Sequence, residues 1–424
     1  LLSSINTNNM YRFLFAGRHE REKWFDIVVD SIELLRRNFP ETFSQVQFVI
    51  LANGSMTESF IRKYSMEPWF VDARNQAISE LDFDSLPQCL YLGHQNKDNV
   101  LEIMGQVDFV LMPSRCLETF GLVALEAASR GTPTIAFAKW WLESLILSDA
   151  RLSELTPANV VATIARLLRR LDDEWYERLS SEAYELTHRF RESQWISTLR
   201  ACLPHETKRI LMLMDYTTFI GGAETHVETI RRTLKREGYE VEILWWPLEG
   251  SWWILTIKRL LGIIISSLNI KAHRDIAKKI DEFDPQVVWC HSVSRYFGAY
   301  ALSAIPKNCT RVITYHDLGY FSPRPSEIES VNELLHKMSL VDWIEWLHGI
   351  KKYIPIFEIF RYLQIKSLLA VIQDFDFHFV PGEFMQEIAQ RIIKCPSEKI
   401  VYLPHYYEER ISPSENPEQT LSVR

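Results

Sequence analysis

The sequence predicts an α/β protein built from two Rossmann-like, doubly wound parallel-sheet domains in tandem. Short apolar runs alternate with helical periodicity over about the first 200 residues, and the same alternation restarts after "ACLPHETKR" (201–209). Glycines such as Gly17 and Gly222 fall where a strand gives way to a helix. With 424 residues, 47% hydrophobic and 24% charged, the chain has apolar mass for two or three cores and reads as globular.

In the first half, "YRFLFA" (11–16) is a buried strand ending at Gly17, and "WFDIVVDSIELLRR" (24–37) carries apolar residues at helical spacing. Strands are expected at 46–54, 89–94, 107–114 and 132–138, and helices at 157–171 and 173–190 close this half. In the second half a strand at 210–215 leads through Gly221-Gly222 into a helix to 238, then a strand at 239–246. Further strands follow at 286–291, 310–316, 375–382 and 399–406, and "SPSENPEQTLSVR" (412–424) reads as a polar tail. The domains are therefore 1–204 and 205–424.

A formal net charge of −8 argues against a nucleic-acid binder, which needs surplus Lys and Arg. Six cysteines without a C-x-x-C pair indicate neither a zinc ribbon nor a disulfide scaffold, and point to a reducing cytoplasm. The opening "LLSSINTNNMYRF" lacks the charged and apolar regions of a leader, so none is expected. "SWWILTIKRLLGIIISSLNI" (251–270) is long enough to span a bilayer, but Lys258 and Arg259 near its centre argue against it.

Ligands of doubly wound sheets bind outside the carboxyl ends of the strands. In "FAGRHEREK" (15–23), Gly17 ends a strand, and Arg18 and Lys23 flank the approach to a helix, where two cations suit a diphosphate. A solvated basic loop is the other reading. In "PSRCLETFGLVALEAASRGTPTIAF", Glu118 precedes a helix start at Gly121-Leu122, and Glu126 lies just over a turn inside, within reach of a sugar hydroxyl. A helix with an acid in its first turns would account for Glu126 but not for Glu118-Thr-Phe-Gly. In the second half, "CHS" (290–292) and "TYHDL" (314–318) end strands with His291 and His316. A lone histidine is more often structural than catalytic, and for His291 that reading comes first.

The 118–126 stretch resembles the E-x7-E signature of the retaining glycosyltransferases of family 4, and "FAGRHEREK" is similar to that family's Gly-Arg-x4-Lys loop. "MDYTTFIGGAETHVETIRRTLKREGYEVEIL" and the "TYHDL" strand end resemble the family's N-terminal domain. The resemblance implies a GT-B fold, two such domains facing across a cleft, with the nucleotide-sugar in what here is residues 1–204 and the acceptor side in 205–424. It implies that Arg18 and Lys23 bind the donor diphosphate, Glu118 lies by the transferred sugar, and Glu126 holds the ribose hydroxyls. Gly17, Phe120, Gly121 and Leu122 would complete the donor contacts, Gly221 and Gly222 would leave room for the donor, and His316 would face the sugar with Asp317 holding its loop. The expected activity is metal-independent, retaining hexosyl transfer, UDP-sugar favoured, to a glycan or lipid-linked glycan in bacterial polysaccharide biosynthesis. No cofactor is expected, and the Asp-Phe-Asp runs at 82–84 and 374–376 read as structural. A non-catalytic partner of the same fold, or a nucleotide-sugar epimerase or phosphorylase, are the alternatives.

The chain departs from the family pattern in places. Trp24 stands where a Gly commonly follows the Lys, "KWWLESLILSDARLSEL" (139–155) replaces a Gly-Gly-x-Pro-Glu loop, and Gly382, His405 and Glu408 replace Ser, Asn and Asp. The domain order is reversed, through a circular permutation or through joining of two tandem pieces. The amphipathic basic-aromatic stretches 251–270 and 342–372 suit either a membrane interface, at the inner face of the cell membrane, or an internal helical face.

Overall fold

Phe13, Leu14 and Phe15 are all buried in the first strand, β1 (Tyr11–Ala16), which is what a strand covered on both faces requires. The structure, a computed structural model, describes residues 10–20, 23–114, 120–137, 142, 145–215, 222–245, 269–294, 296–316, 318–322, 328, 331–339 and 355–407. Glu118, Gly221, Asp317, Glu408, the 412–424 tail and most of the 251–270 stretch therefore lie outside the described residues.

The described chain divides into two units, one running to Glu192 and including Tyr407, the other Ser193–Tyr406. In the first, β1 is followed by α1 (Phe25–Asn38), β2 (Val46–Leu51), α2 (Thr57–Tyr64), β3 (Phe70–Asp72), β4 (Cys89–Gly93) and α3 (Lys97–Met104). Then come β5 (Phe109–Met112), α4 (Leu122–Ala128), β6 (Thr134–Ala136), α5 (Pro157–Arg170) and α6 (Asp173–Leu186). All pairs are parallel, in the order β3-β4-β2-β1-β5-β6. Successive side chains face opposite ways, so Phe13 and Phe15 enter one core with Phe48, Phe109 and Phe25, and Leu14 enters another with Val49, Leu90 and Val110.

The second unit begins on α7 (Glu192–Cys202), whose Trp195 stacks on Trp289, ring centroids 6.2 Å apart. Its sheet comprises β7 (Arg209–Met214), β8 (Glu240–Trp245), β9 (Val287–Cys290), β10 (Thr310–Thr314), β11 (Phe377–Val380) and β12 (Ile400–Tyr402). The order is β12-β11-β10-β9-β7-β8, again parallel. Helices α8 (Gly222–Arg236) and α9 (Ile270–Phe283) pack against β8 and β7, and α10 (Pro355–Ile372) precedes β11. Among the described residues no helix is long and apolar enough to cross a membrane.

The doubly wound α/β expectation thus holds in both halves, with corrections to single elements. The strand expected to run to 54 stops at Leu51, because Ala52 turns into the left-handed region (φ 75°) and its N–H bonds Gly93 O at 2.7 Å. Strand β3 carried no alternation to reveal it and exists through its pairing with β4. Helix α9 was missed beside the more conspicuous apolar run 251–270.

Candidate functional site

In the first sheet β1 lies between β2 and β5, the point at which the winding reverses. Loops leaving the carboxyl ends of β1 and β5 flank the crevice that such a reversal opens. They carry Gly17, Arg18 and Lys23, and Phe120 and Gly121, respectively.

The β1 loop is built to hold Arg18 out. The next residue, His19, is fully buried: its ring stacks on Phe25 at 3.9 Å, Nε2 donates to Leu51 O at 3.0 Å, and Nδ1 accepts from Thr57 Oγ1 at 2.8 Å. Because a carbonyl only accepts, the proton sits on Nε2. Burial depresses this imidazole to about 4, so it stays neutral. The loop after β2 presses on the same backbone, with Met56 N bonded to His19 O at 3.0 Å. A Cβ on Gly54 would stand 2.6 Å from that oxygen, so only glycine fits. Glu20 accepts from the Ser55 backbone and hydroxyl, and those bonds hold its carboxyl below the usual range. Arg18 is left exposed between these anchors and Lys23 half-buried beyond them. Trp24, buried, takes a left-handed backbone (φ 58°, ψ 35°) at the position where the family pattern has glycine.

In the β5 loop Gly121 has φ 73°, and a Cβ there would lie 2.5 Å from Leu142 Cδ2. Phe120 is buried edge-on to Phe190, centroids 5.7 Å apart, so its side chain belongs to the core. Leu122 opens α4 half-buried. One turn on, Glu126 Oε1 lies 3.8 Å from Lys97 Nζ. Burial raises the Glu126 carboxyl, opposed by Lys97. Lys97 was missed in sequence, although a lysine in the first turn of a helix capped by Asn96 opposes the helix dipole and so signals another purpose.

In the second sheet the winding reverses at β7, between β8 and β9. Asp215, just past β7, accepts from Phe297 N at 3.0 Å while its own N–H bonds Ser292 O at 2.9 Å, tying the two strand ends together. Gly222 is the first residue of α8. Four buried imidazoles gather nearby: His226 from α8, His291 after β9, His316 after β10 and His405 after β12. His291 Nδ1 lies 2.9 Å from His316 Nε2, and His405 Nδ1 lies 2.6 Å from His226 Nε2. The rings of His316 and His405 are nearly parallel, centroids 5.6 Å apart. Burial lowers His316 to about 4 and takes His291 and His405 well below the ordinary histidine range. His226 and His405 were not foreseen as partners, being 179 residues apart.

Both Asp-Phe-Asp runs serve local structure. Asp82 accepts from Asp84 N, Asp84 pairs with Arg12, and Asp376 accepts from Arg311 N at 2.8 Å. Among the described residues no group of three or more His, Cys, Asp or Glu is placed to hold a metal ion.

Comparison with known proteins adds a second kind of observation. Residues 11–173 match the family described as "Glycosyl transferases group 1", and residues 220–407 match "Glycosyltransferase Family 4". A glycogen synthase of Mycobacterium tuberculosis is 27% identical over 161 residues, 38% of this chain and 34% of that protein. A D-inositol 3-phosphate glycosyltransferase of Arthrobacter sp. is 32% identical over 167 residues, 39% of this chain and 35% of that protein. The chain thus spans about a third of the length of these relatives. The Anabaena protein Alr3699/HepE, solved with UDP and glucose, shares 18% identity over 47% of this chain and 50% of its own, with a TM-score of 0.34.

Proposed function

We propose that this chain, whose two halves are glycosyltransferase domains of the group 1 and family 4 types, moves a sugar from a nucleotide-sugar, UDP-sugar favoured, to a glycan or lipid-linked glycan. The observation that carries the reading is the placement of Arg18, Lys23 and Gly121 on the two loops that flank the winding reversal of the first sheet. Departure of a nucleoside diphosphate needs stabilisation of developing negative charge, which is what preorganised cations supply. In this reading Arg18 and Lys23 hold the diphosphate, Gly17 and Gly121 let it approach the backbone, and Glu126 accepts the ribose hydroxyls. Glu118, Gly221 and Gly222 take their donor-side roles, and His316 meets the transferred sugar, on the resemblance alone. Transfer proceeds with retention and without a metal, in polysaccharide biosynthesis at the cytoplasmic membrane face.

The group 1 domain precedes the family 4 domain, and Tyr407, beyond the second unit, bridges back to Arg191 in the first. We read this as a circular permutation of the family order.

Calorimetric titration of UDP, UDP-glucose and GDP into the full chain tests the donor site. Arg18→Ala and Lys23→Ala should each weaken nucleotide binding about tenfold or more. Unchanged affinity in both variants overturns the assignment, and a nucleotide bound without sugar transfer from a labelled donor points to the non-catalytic alternative.

A further inference from the structure

We infer that Thr57, at the start of α2, sets the placement of Arg18 through His19, so that Thr57 and His19 are positioning residues for the anion that Arg18 meets. The inference starts from a set of bonds with a single consistent assignment. Burial holds the His19 ring neutral at pH 7, so one of its nitrogens carries the proton. Nε2 faces Leu51 O at 3.0 Å, and a carbonyl only accepts, so the proton sits there. Nδ1 is then an acceptor, and the Thr57 hydroxyl, 2.8 Å away, donates to it. That hydroxyl has no second proton to give, and its oxygen accepts from the Gly54 N–H at 2.8 Å. The reverse assignment would set the lone pair of Nε2 against Leu51 O inside a buried site.

These bonds form a strut between the loops after β1 and β2. The loops meet at three further points: His19 N–H on Asn53 O at 3.2 Å, Met56 N–H on His19 O at 3.0 Å, and Ser55 N–H on the Glu20 carboxylate at 2.8 Å. The second loop is tied in turn to β4, by Ala52 N–H on Gly93 O at 2.7 Å and by the Tyr91 hydroxyl, which donates to the Asn53 side-chain oxygen. Thr57 and His19 are both buried, so removal of the hydroxyl leaves His19 Nδ1 and the Gly54 N–H without a partner at the same time. The loss falls on the residue next to Arg18, where the two loops are held together. On the proposed function, on which this consequence rests, the donor diphosphate is gripped tightly only while the strut keeps Arg18 at the carboxyl edge of β1, although Thr57 itself touches no ligand.

Amide hydrogen exchange of the full chain at pH 7 reads the strut without a ligand. Thr57→Val should speed exchange at His19, Ser55 and Met56 about tenfold or more while Ala52 keeps its rate, and Thr57→Ser should restore the parent's rates. Unchanged rates at all three amides in a folded Thr57→Val, or a ring proton on His19 Nδ1 in ¹⁵N spectra of the unaltered chain, overturns the inference. If Thr57→Val fails to fold, Thr57→Ala takes its place, and the His19 tautomer of the unaltered chain is read regardless. Calorimetric titration of UDP then reads the effect on Arg18. Thr57→Val should weaken UDP binding about tenfold and Thr57→Ser should recover it, whereas in an Arg18→Ala background Thr57→Val should weaken it no further. Undiminished UDP affinity in Thr57→Val, or full additivity of the two substitutions, overturns the inference as well. An unaltered chain that binds no UDP, with exchange responding as expected, sinks the functional reading and leaves the strut standing.

Discussion

Lys97 Nζ lies 3.8 Å from Glu126 Oε1, linking the first turn of α3 to α4 across the carboxyl edge of the first sheet. Burial raises the Glu126 carboxyl and the Lys97 ammonium opposes that rise, at the place where ribose hydroxyls are proposed to sit. Lys97→Met should therefore weaken UDP binding at pH 7 about tenfold and shift its pH dependence upward. Calorimetry from pH 5 to 8 measures this, and an unshifted profile counts against a role for the pair.

Glu126→Gln separates stability from binding. A carboxyl raised in the folded state favours folding at low pH, and that contribution is lost as pH rises through its folded value. Replacing it with an amide removes the cost at pH 7. The variant should melt no lower than the parent and yet lose nucleotide affinity. A clear drop in Tm would show that the carboxylate is a structural partner instead.

Gly121→Ala should destabilise the chain by about 1–3 kcal/mol, combining a left-handed backbone with a clash on Leu142. Leu142→Ala alone leaves a cavity, but it also makes room for the new Cβ. The double variant should cost less than the sum of the singles, and urea denaturation gives all three values. Strict additivity would contradict the described contact.

Trp24 is buried yet left-handed, so two of its replacements should rank against the usual order. Trp24→Gly and Trp24→Ala both lose the packing of the indole, but only glycine removes backbone strain worth about 1–2 kcal/mol. Trp24→Gly should equal or exceed Trp24→Ala in urea midpoint, and a less stable Trp24→Gly would refute the assigned conformation.

Acid should open the second unit before the first. His316 and His378 are depressed to about 4 and His291 and His405 further, whereas among histidines with a resolved shift the first unit contributes His19. As pH falls below the ordinary 6.5 toward 4, the unfolded chain takes up protons that the folded chain refuses, and stability falls by up to about 1.4 kcal/mol per pH unit for each such site. Hydrogen exchange at pH 7 and pH 5, corrected for intrinsic rates, should show β9 and β10 losing protection ahead of β1 and β2. The opposite order would overturn the assignment of these histidines as buried and neutral.

Much of the first half was legible because its information is local. Gly17, Arg18 and Lys23 fall at a strand-to-helix passage that apolar periodicity marks, and Gly121 declares a turn that tolerates little else. Residues read for their side chains fared unevenly. Phe120 looked like part of a ligand loop, but burial against Phe190 commits its ring to the core. His19, next to Arg18, was not singled out in the sequence, and its buried ring anchors the Arg18 loop.

Local spacing of apolar residues, glycines and charges was sufficient by itself to establish two doubly wound sheets and the loops where a ligand would be sought, because strand and helix periods are properties of neighbouring residues. Tertiary structure alone decided that Lys97 meets Glu126, that Trp24 is forced left-handed, and that four histidines from four separate elements become two bonded pairs. Those relationships depend on which strand ends the winding brings together, and on the water it removes from between them, and neither is a function of distance along the chain.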